Sequence, residues 1–582
     1  MVFDLPAKKD YTTILAGSCF LWLPVYILWA GSGTRFIDAT LIVCIWFGII
    51  LLGRTVCRRS PREIPVSING VDGMLLLIAG YWMINLLTVI GAGCTDLFAL
   101  FQIAALALLY SIVRQSASHD GIIDLIILSG VLQSILMLVQ YAGPLRINHD
   151  GFTVTGSFPN PGLTGGYLAI VFTFALERFV HWPPQQRART GFYFCCLICL
   201  GVALACTESR AGWLAALSAA GWILYPQMRM PGWGKAMVVI LAGAVLPLLY
   251  LLRPESVYGR LLVWRCSWDM FCSAPFFGSG VGSFQREYMY HQAAYFAHHS
   301  DSPFTRFSDN VIYPFNEPLK ILTEQGLAGF LLFAVLILLL FKMGRRGGKH
   351  VQKGVFAPIL AFVIFSLFSY PSNSLLLMSL SVVALAMLRP KPLLRISLPS
   401  GYKYLFGLIL ALFLATTTRQ YILCRQWNLD YRVCLQHKAE GQPITERFAD
   451  DFKLRLLFRN NYTASQMFLE CLPEKTDGKL AIYLHCLDIF PSSTLCTEIG
   501  ELYEQSRQYD RAETYYRLAL NMNPDRITPA FRLFELYRKI GRQAEARVTA
   551  ARILSTEYRI VSTDLLRMKG AVRRYYDKGE IP

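Results

Sequence analysis

From Tyr11 to about Arg419 the chain is built of apolar runs of roughly twenty residues separated by short polar turns, and no other feature limits its fold so strongly. A helix of that length matches a bilayer core of about 30 Å. In hydrocarbon, backbone N–H and C=O groups must satisfy one another within a segment or a closed barrel, so long continuous apolar runs imply helices. About thirteen runs are long enough, starting near residues 11, 36, 73, 95, 121, 162, 191, 211, 235, 317, 354, 373 and 402. The expected fold class is all-α: a polytopic transmembrane helical bundle over 1–419, with a long external loop at 253–315, then a soluble α-helical domain over 420–582.

Composition agrees, since 54% of the residues are hydrophobic and only 16% charged. The formal net charge of +17 could suggest nucleic acid. The basic residues instead concentrate in short turns: Arg54, Arg58, Arg59 and Arg62, Arg187 and Arg189, Arg229 and Lys235, Lys342 to Lys353, and Arg389 to Arg395. Alternating spans place all of these on one side, and the excess of positive charge makes that side cytoplasmic. The turns at 141–161 and 207–211, the loop at 253–313 and everything after about Arg419 then face out. A nucleic-acid role is excluded by this distribution. The fifteen cysteines are scattered, with no paired CxxC spacing that would hold a metal.

Near the C-terminus, Ile499, Gly500, Tyr503, Ala512, Tyr516, Ala519 and Pro524 follow the spacing of a 34-residue tetratricopeptide hairpin. Leu533, Tyr537 and Ala546 recur at the next offset, with Phe534 where a small residue is expected. The repeats are expected near 493–560, either as a partner-binding surface or as a packing cap over the bundle.

Four external stretches carry chemistry. "TGSFPNPGLTGGYL" opens a span at Asn160 and Pro161. "CTESRAGWLAAL" puts Ser209 and Arg210 between two apolar runs. "YGRLLVWRCSWDMFCSAPFFGSGVGSF" contains Arg260, Trp264 and Arg265 and ends in a Gly-rich turn. "YPFNEPLKILTEQGLAGF" starts a span with Asn316 and Glu317 at its mouth. An arginine at the bilayer centre costs about 2.5–3.5 kcal/mol on insertion scales, so Arg210 belongs at the outer interface. A single interfacial arginine commonly snorkels to ordinary lipid phosphate. Two arginines in separate, unusually patterned segments on one face suit a diphosphate, because the planar guanidinium pairs bidentately with phosphate oxygens.

The order of these four stretches, over roughly residues 120 to 345, resembles the O-antigen ligase and polymerase superfamily of bacterial envelope glycosyltransferases. The resemblance implies transfer of a preassembled glycan from undecaprenyl diphosphate or a similar carrier to an acceptor hydroxyl, on lipid A-core or protein, at the periplasmic face of the inner membrane. It implies no cofactor, metal or nucleotide sugar. Arg210 and Arg260 match the family's two functional arginines, while Asn160, Ser209, Arg265 and Asn316 are the expected substrate-binding residues. Many relatives carry His-Asn where this chain has Phe315-Asn316. Glu317 is therefore the expected base, with His291, His298 and His299 of the external loop, read as flexible, as substitutes. The alternatives are a polymerase of the same superfamily, a lipid-linked glycan transporter, and a non-catalytic scaffold acting through its repeats.

The topology gives the first testable outcome. A reporter that works only outside the cytoplasm is expected to be active when fused after Pro582 and silent when fused near Arg346; the reverse pattern would put Arg210 on the wrong side for an external donor.

Overall fold

The computed structural model describes residues 11–29, 35–57, 63–90, 98–116, 118–143, 154–181, 186–228, 231, 254–346, 350–388, 390–440, 460–472, 478–559 and 561–577. Helices α1 (Tyr11–Gly17) and α2 (Cys19–Trp29) are followed by α3 (Arg35–Cys57), strand β1 (Glu63–Asn69), α4 (Gly70–Ile90), α5 (Phe98–Arg114) and α6 (Asp120–Tyr141). Next come α7 (Pro161–His181), α8 (Arg187–Cys206), α9 (Arg210–Leu224), α10 (Pro254–Ser273), α11 (Ser283–His298) and α12 (Glu317–Arg346). Then follow α13 (His350–Ser366), α14 (Leu375–Met387), strand β2 (Pro392–Pro399) and α15 (Tyr402–Ala439). The C-terminal part holds α16 (Tyr462–Cys471), α17 (Lys479–Ile489), α18 (Ser493–Gln505), α19 (Tyr509–Met522), α20 (Ile527–Lys539), α21 (Gln543–Ser555) and α22 (Thr563–Asp577).

Among the described residues seven helices are long and apolar enough to cross a membrane: α3, α4, α6, α7, α8, α12 and α15. Tyr11–Ile27, Phe98–Arg114, Val355–Ser366 and Leu375–Met387 are shorter apolar helices. The run expected near 235 lies outside the described residues. The all-α expectation needs one correction, because β1 and β2 pair antiparallel, with Ile64 opposite Leu398, Val66 opposite Ile396 and Ile68 opposite Leu394. Apolar residues alternate on both strands, which is the two-residue period of a strand rather than a helix. The ribbon joins two turns that the charge pattern had put on one side.

α7 is the most enclosed of the long helices, with 72% of its apolar window buried, against 22% for α4. Small residues allow this enclosure. A Cβ on Gly166 would lie 2.4 Å from the Phe365 ring of α13, and one on Gly165 would lie 2.3 Å from Ser209 Cβ. At the same crossing, a Cβ on Gly212 would meet the Gly165 backbone at 2.8 Å. Without a hydrophobic drive between helices in lipid, such close backbone approach is what holds them. It fixes the start of α9, and so Arg210, against the start of α7.

α15 runs through position 419 without a break, and Asn428 Nδ2 donates to Asp38 of α3 at 2.7 Å. The segment expected as a flexible external loop carries two helices, α10 and α11. α10 and α11 share one apolar core with residues of α15 to α22, including Trp427, Tyr516 and Tyr537. Polar contacts reinforce it: Gln292 donates to the Met522 carbonyl, Ser308 Oγ to Asn523 Oδ1 at 3.0 Å, and Ser493 N–H to Asn310 Oδ1 at 3.1 Å. In the C-terminal part, Gly500 lies under the Tyr516 ring, where a Cβ would come within 2.5 Å. Phe534 fits by packing edge-on to Tyr575 of α22, with centroids 5.1 Å apart. On these grounds Gly165→Ala is expected to lower the thermal midpoint of the detergent-purified protein, because α7 and α9 must separate. An unchanged midpoint would show that this crossing tolerates a methyl group.

Candidate functional site

The site is assembled from turns at one end of the bundle, and each is pinned by its own chemistry. Gln133 and Gln140 lie seven residues apart on one face of α6 and satisfy the buried backbone of the turn before α7. Gln133 exchanges bonds with Ser157 (Nε2 to Oγ 2.6 Å, N–H to Oε1 3.1 Å), and Gln140 Oε1 accepts the Thr155 and Gly156 N–H groups. Asn160 then caps α7: its Oδ1 accepts the Leu163 N–H at 3.0 Å. Because that bond fixes the amide, Nδ2 faces the other way and donates to the Tyr370 hydroxyl.

Ser209 caps α9, accepting the Gly212 N–H at 3.2 Å, and its hydroxyl donates to the Gly162 carbonyl. Arg210 is the first residue of that helix. The preceding Glu208 has φ 51°, a left-handed backbone uncommon outside glycine. α10 carries Arg260 on the same face as Trp264, one turn later, and the Trp264 indole donates to the Pro314 carbonyl at 3.1 Å. This contact brings Arg260 beside Phe315, with its guanidinium carbon 5.7 Å from the ring centroid. Phe315 also has a positive φ of 53°, and Asn316 caps α12 by accepting the Leu319 N–H at 2.9 Å. Two strained non-glycine residues thus flank the arginine and the cap, at a cost of about 1–3 kcal/mol each.

Arg210 and Arg260 are close enough to act on each other. Burial, and after it the charge of Arg210, push the Arg260 guanidinium below its ordinary pKa, while Tyr370 acts in the opposite direction. Arginine stays protonated at neutral pH regardless. Among the described residues no carboxylate pairs with Arg260, which leaves its guanidinium able to take an anion.

Other expected residues are placed differently. Arg265 points to the opposite side of α10, is exposed, and pairs with Asp269 one turn on at 3.5 Å. Glu317 Oε1 accepts the Ser372 N–H at 2.9 Å, which ties the mouth of α12 to the turn after α13. Lys320 reinforces that tie through Ser372 Oγ at 3.1 Å and Asn373 Oδ1 at 3.3 Å. His291 and His298 lie on α11 and His299 caps its end, stacked on Tyr295. Burial lowers the pKa of His291. No described contact joins these histidines to Arg260.

Two residues were missed from sequence. Tyr313 and Tyr370 stack with centroids 4.5 Å apart and planes at 14°, and Phe315 meets Tyr370 edge-on at 5.3 Å. Tyr370 sits in a short turn between apolar helices, and nothing in its local spacing marks it. Among the described residues no group of three or more His, Cys, Asp or Glu could hold a metal ion.

The Gly-rich turn is fastened to a break in α12. Gly326 has φ 66° and ψ −167°, a combination open essentially only to glycine. There the Leu327 and Ala328 N–H groups donate to the Pro275 and Phe276 carbonyls (2.8 and 3.0 Å), and Gly280 N–H donates to the Glu324 carbonyl at 2.9 Å. A Cβ on Gly278 would lie 2.3 Å from the Glu324 carbonyl carbon. The turn is therefore hydrogen-bonded about 9–16 Å along α12 from its mouth.

Residues 195–334 match the family described as O-antigen ligase. The matched stretch takes in Ser209, Arg210, Arg260, Arg265, Asn316 and Glu317, and Asn160 lies upstream of it. A search of curated proteins gave no match. The match supports the O-antigen ligase superfamily and a glycosyltransferase-like activity, and with the apolar helices it supports a multi-pass membrane protein.

Gly326→Ala is expected to destabilise the protein by at least about 1–3 kcal/mol, since the new Cβ would lie 2.4 Å from the Phe276 carbonyl and the backbone conformation is lost. Equilibrium unfolding of the purified variant checks this, and wild-type stability would contradict the role given to the break.

Proposed function

We propose that the chain transfers a preassembled glycan from a polyprenyl diphosphate of the undecaprenyl type to an acceptor hydroxyl, at the periplasmic face of the bacterial inner membrane. The observation that carries this reading is the pairing of Arg210 and Arg260, brought from separate segments close enough to act on each other, with Arg260 partly buried and without an acidic partner among the described residues. The acceptor oxygen bonds to the anomeric carbon as the bond from that carbon to the diphosphate breaks. The diphosphate leaves with the electron pair and gains a unit of negative charge, and the acceptor's proton passes to solvent water. Preoriented guanidinium groups stabilise charge that develops in this way.

Asn160, Ser209 and Asn316 serve in this reading through the helix starts that they cap rather than as isolated ligands. Arg265 is assigned no part. The C-terminal helix hairpins are read as tetratricopeptide repeats that receive lipid A-core or a protein acceptor, supported by the small-residue fit of Gly500 under Tyr516 and by the core shared with α10 and α11. A transporter is less well supported, since the charges of the site gather at the bundle's end.

Arg210→Lys and Arg260→Lys are each expected to lose most transfer at equal protein levels, because lysine keeps the charge but not the fork. Normal transfer by both would leave only snorkelling. Glu317→Gln is expected to retain transfer within a few fold, because the amide oxygen can still accept the Ser372 N–H. A fall of about 10²–10⁴-fold would instead establish Glu317 as a general base. Both comparisons use purified lipid-linked glycan as donor.

A further inference from the structure

The stacked tyrosines raise a question of proton placement. Asn160 Oδ1 is committed to the Leu163 N–H, so its Nδ2 is the group that meets the Tyr370 hydroxyl. The Tyr370 oxygen must therefore accept, and its own proton has to point elsewhere. Among the described residues no acceptor takes that proton. The hydroxyl lies near enough to Arg260 for the two to influence each other's ionisation. The ring cannot turn aside freely, because Tyr313 covers one face and Phe315 meets it edge-on. Tyr313 is backed in the same way: Asn373 Oδ1 takes bonds from Lys320 and Ser372, and the Asn373 side chain supports the Tyr313 hydroxyl.

We propose that Tyr370 is a third ligand of the diphosphate, donating its phenolic hydrogen bond to the phosphate oxygen held by Arg260, with Asn160 fixing the direction of that bond. The assignment rests on the reading of the cleft as a diphosphate site and adds a neutral donor to two cations. Burial raises the Tyr370 pKa to about 12, so the proton is present throughout the physiological range. A phenol suits this position because it offers a directed donor without placing a third positive charge beside Arg210 and Arg260. The edge-on Phe315 holds the phenol in place.

The test is a set of binding isotherms on the full-length protein in nanodiscs, using a glycan-free polyprenyl diphosphate and the matching monophosphate. Tyr370→Phe keeps the ring stack and removes one proton donor. It is expected to weaken diphosphate binding about 10- to 100-fold, the worth of one hydrogen bond to a charged group, with no dependence on pH between about 6 and 9. Placed in the Arg260→Lys background, it is expected to add no more than about threefold, because both groups hold the same phosphate. A merely structural defect would instead multiply the two effects. If Arg210→Lys and Arg260→Lys lose affinity while Tyr370→Phe binds as wild type, or if the effects multiply, the assignment of Tyr370 is overturned and the diphosphate site stands. If wild type binds diphosphate no better than monophosphate, the site reading itself fails, and this assignment with it.

Discussion

Two cations held close together, both partly buried, are the constraint on which the rest of this end of the molecule depends. Like charges at short range repel, and burial strengthens that repulsion by lowering the local dielectric. Arg260 shows both effects, and no carboxylate among the described residues compensates it. A fold maintains such an arrangement only if its backbone is locked strongly enough to bear the cost. The locks are visible: the Gly165–Gly212 crossing beneath Arg210, the Trp264–Pro314 bond beside Arg260, and the Gly-rich turn fastened to the break at Gly326.

These locks also explain why the external helices and the C-terminal hairpins share a core. α10 carries Arg260 but lies largely outside the bundle, and a short external helix on its own would fray. Packing it with α11 against α19, and fastening that unit to the membrane part through the continuous α15 and the Asn428–Asp38 bond, converts a mobile arginine into a placed one. Arg260 and the C-terminal hairpins thus rest on one shared apolar core.

Much of this was legible in the sequence, for physical reasons that can be named. Long apolar runs have one stable form in lipid, and seven of the described helices are long and apolar enough to cross it. The β1–β2 ribbon pairs the turn after Cys57 with the turn after Met387, two of the turns that the charge pattern assigned to one side. Its alternation at Ile64, Val66 and Ile68 was present but obscured by Pro65 and the flanking arginines. Arg265 lies on another face of α10 from Arg260, because proximity in sequence says nothing of helix face: five residues is 1.4 turns. Tyr313 opens one of the four stretches but was not singled out within it, and Tyr370 carried no local signal at all. Their role arises from a long-range stack and from two amides whose orientations are set by bonds elsewhere, which no spacing rule reads.

The central claim is that Arg210 and Arg260 together bind a diphosphate, and ligand-induced stabilisation tests it without knowledge of the acceptor. Thermal unfolding of the full-length protein should be followed with glycan-free polyprenyl diphosphate from zero to about 100 times its dissociation constant. The account predicts a rise equivalent to about 2.7 kcal/mol for the wild type at the highest concentration, and almost none for a variant with both arginines changed to Gln. An equal rise in that variant, or none in the wild type, would contradict it.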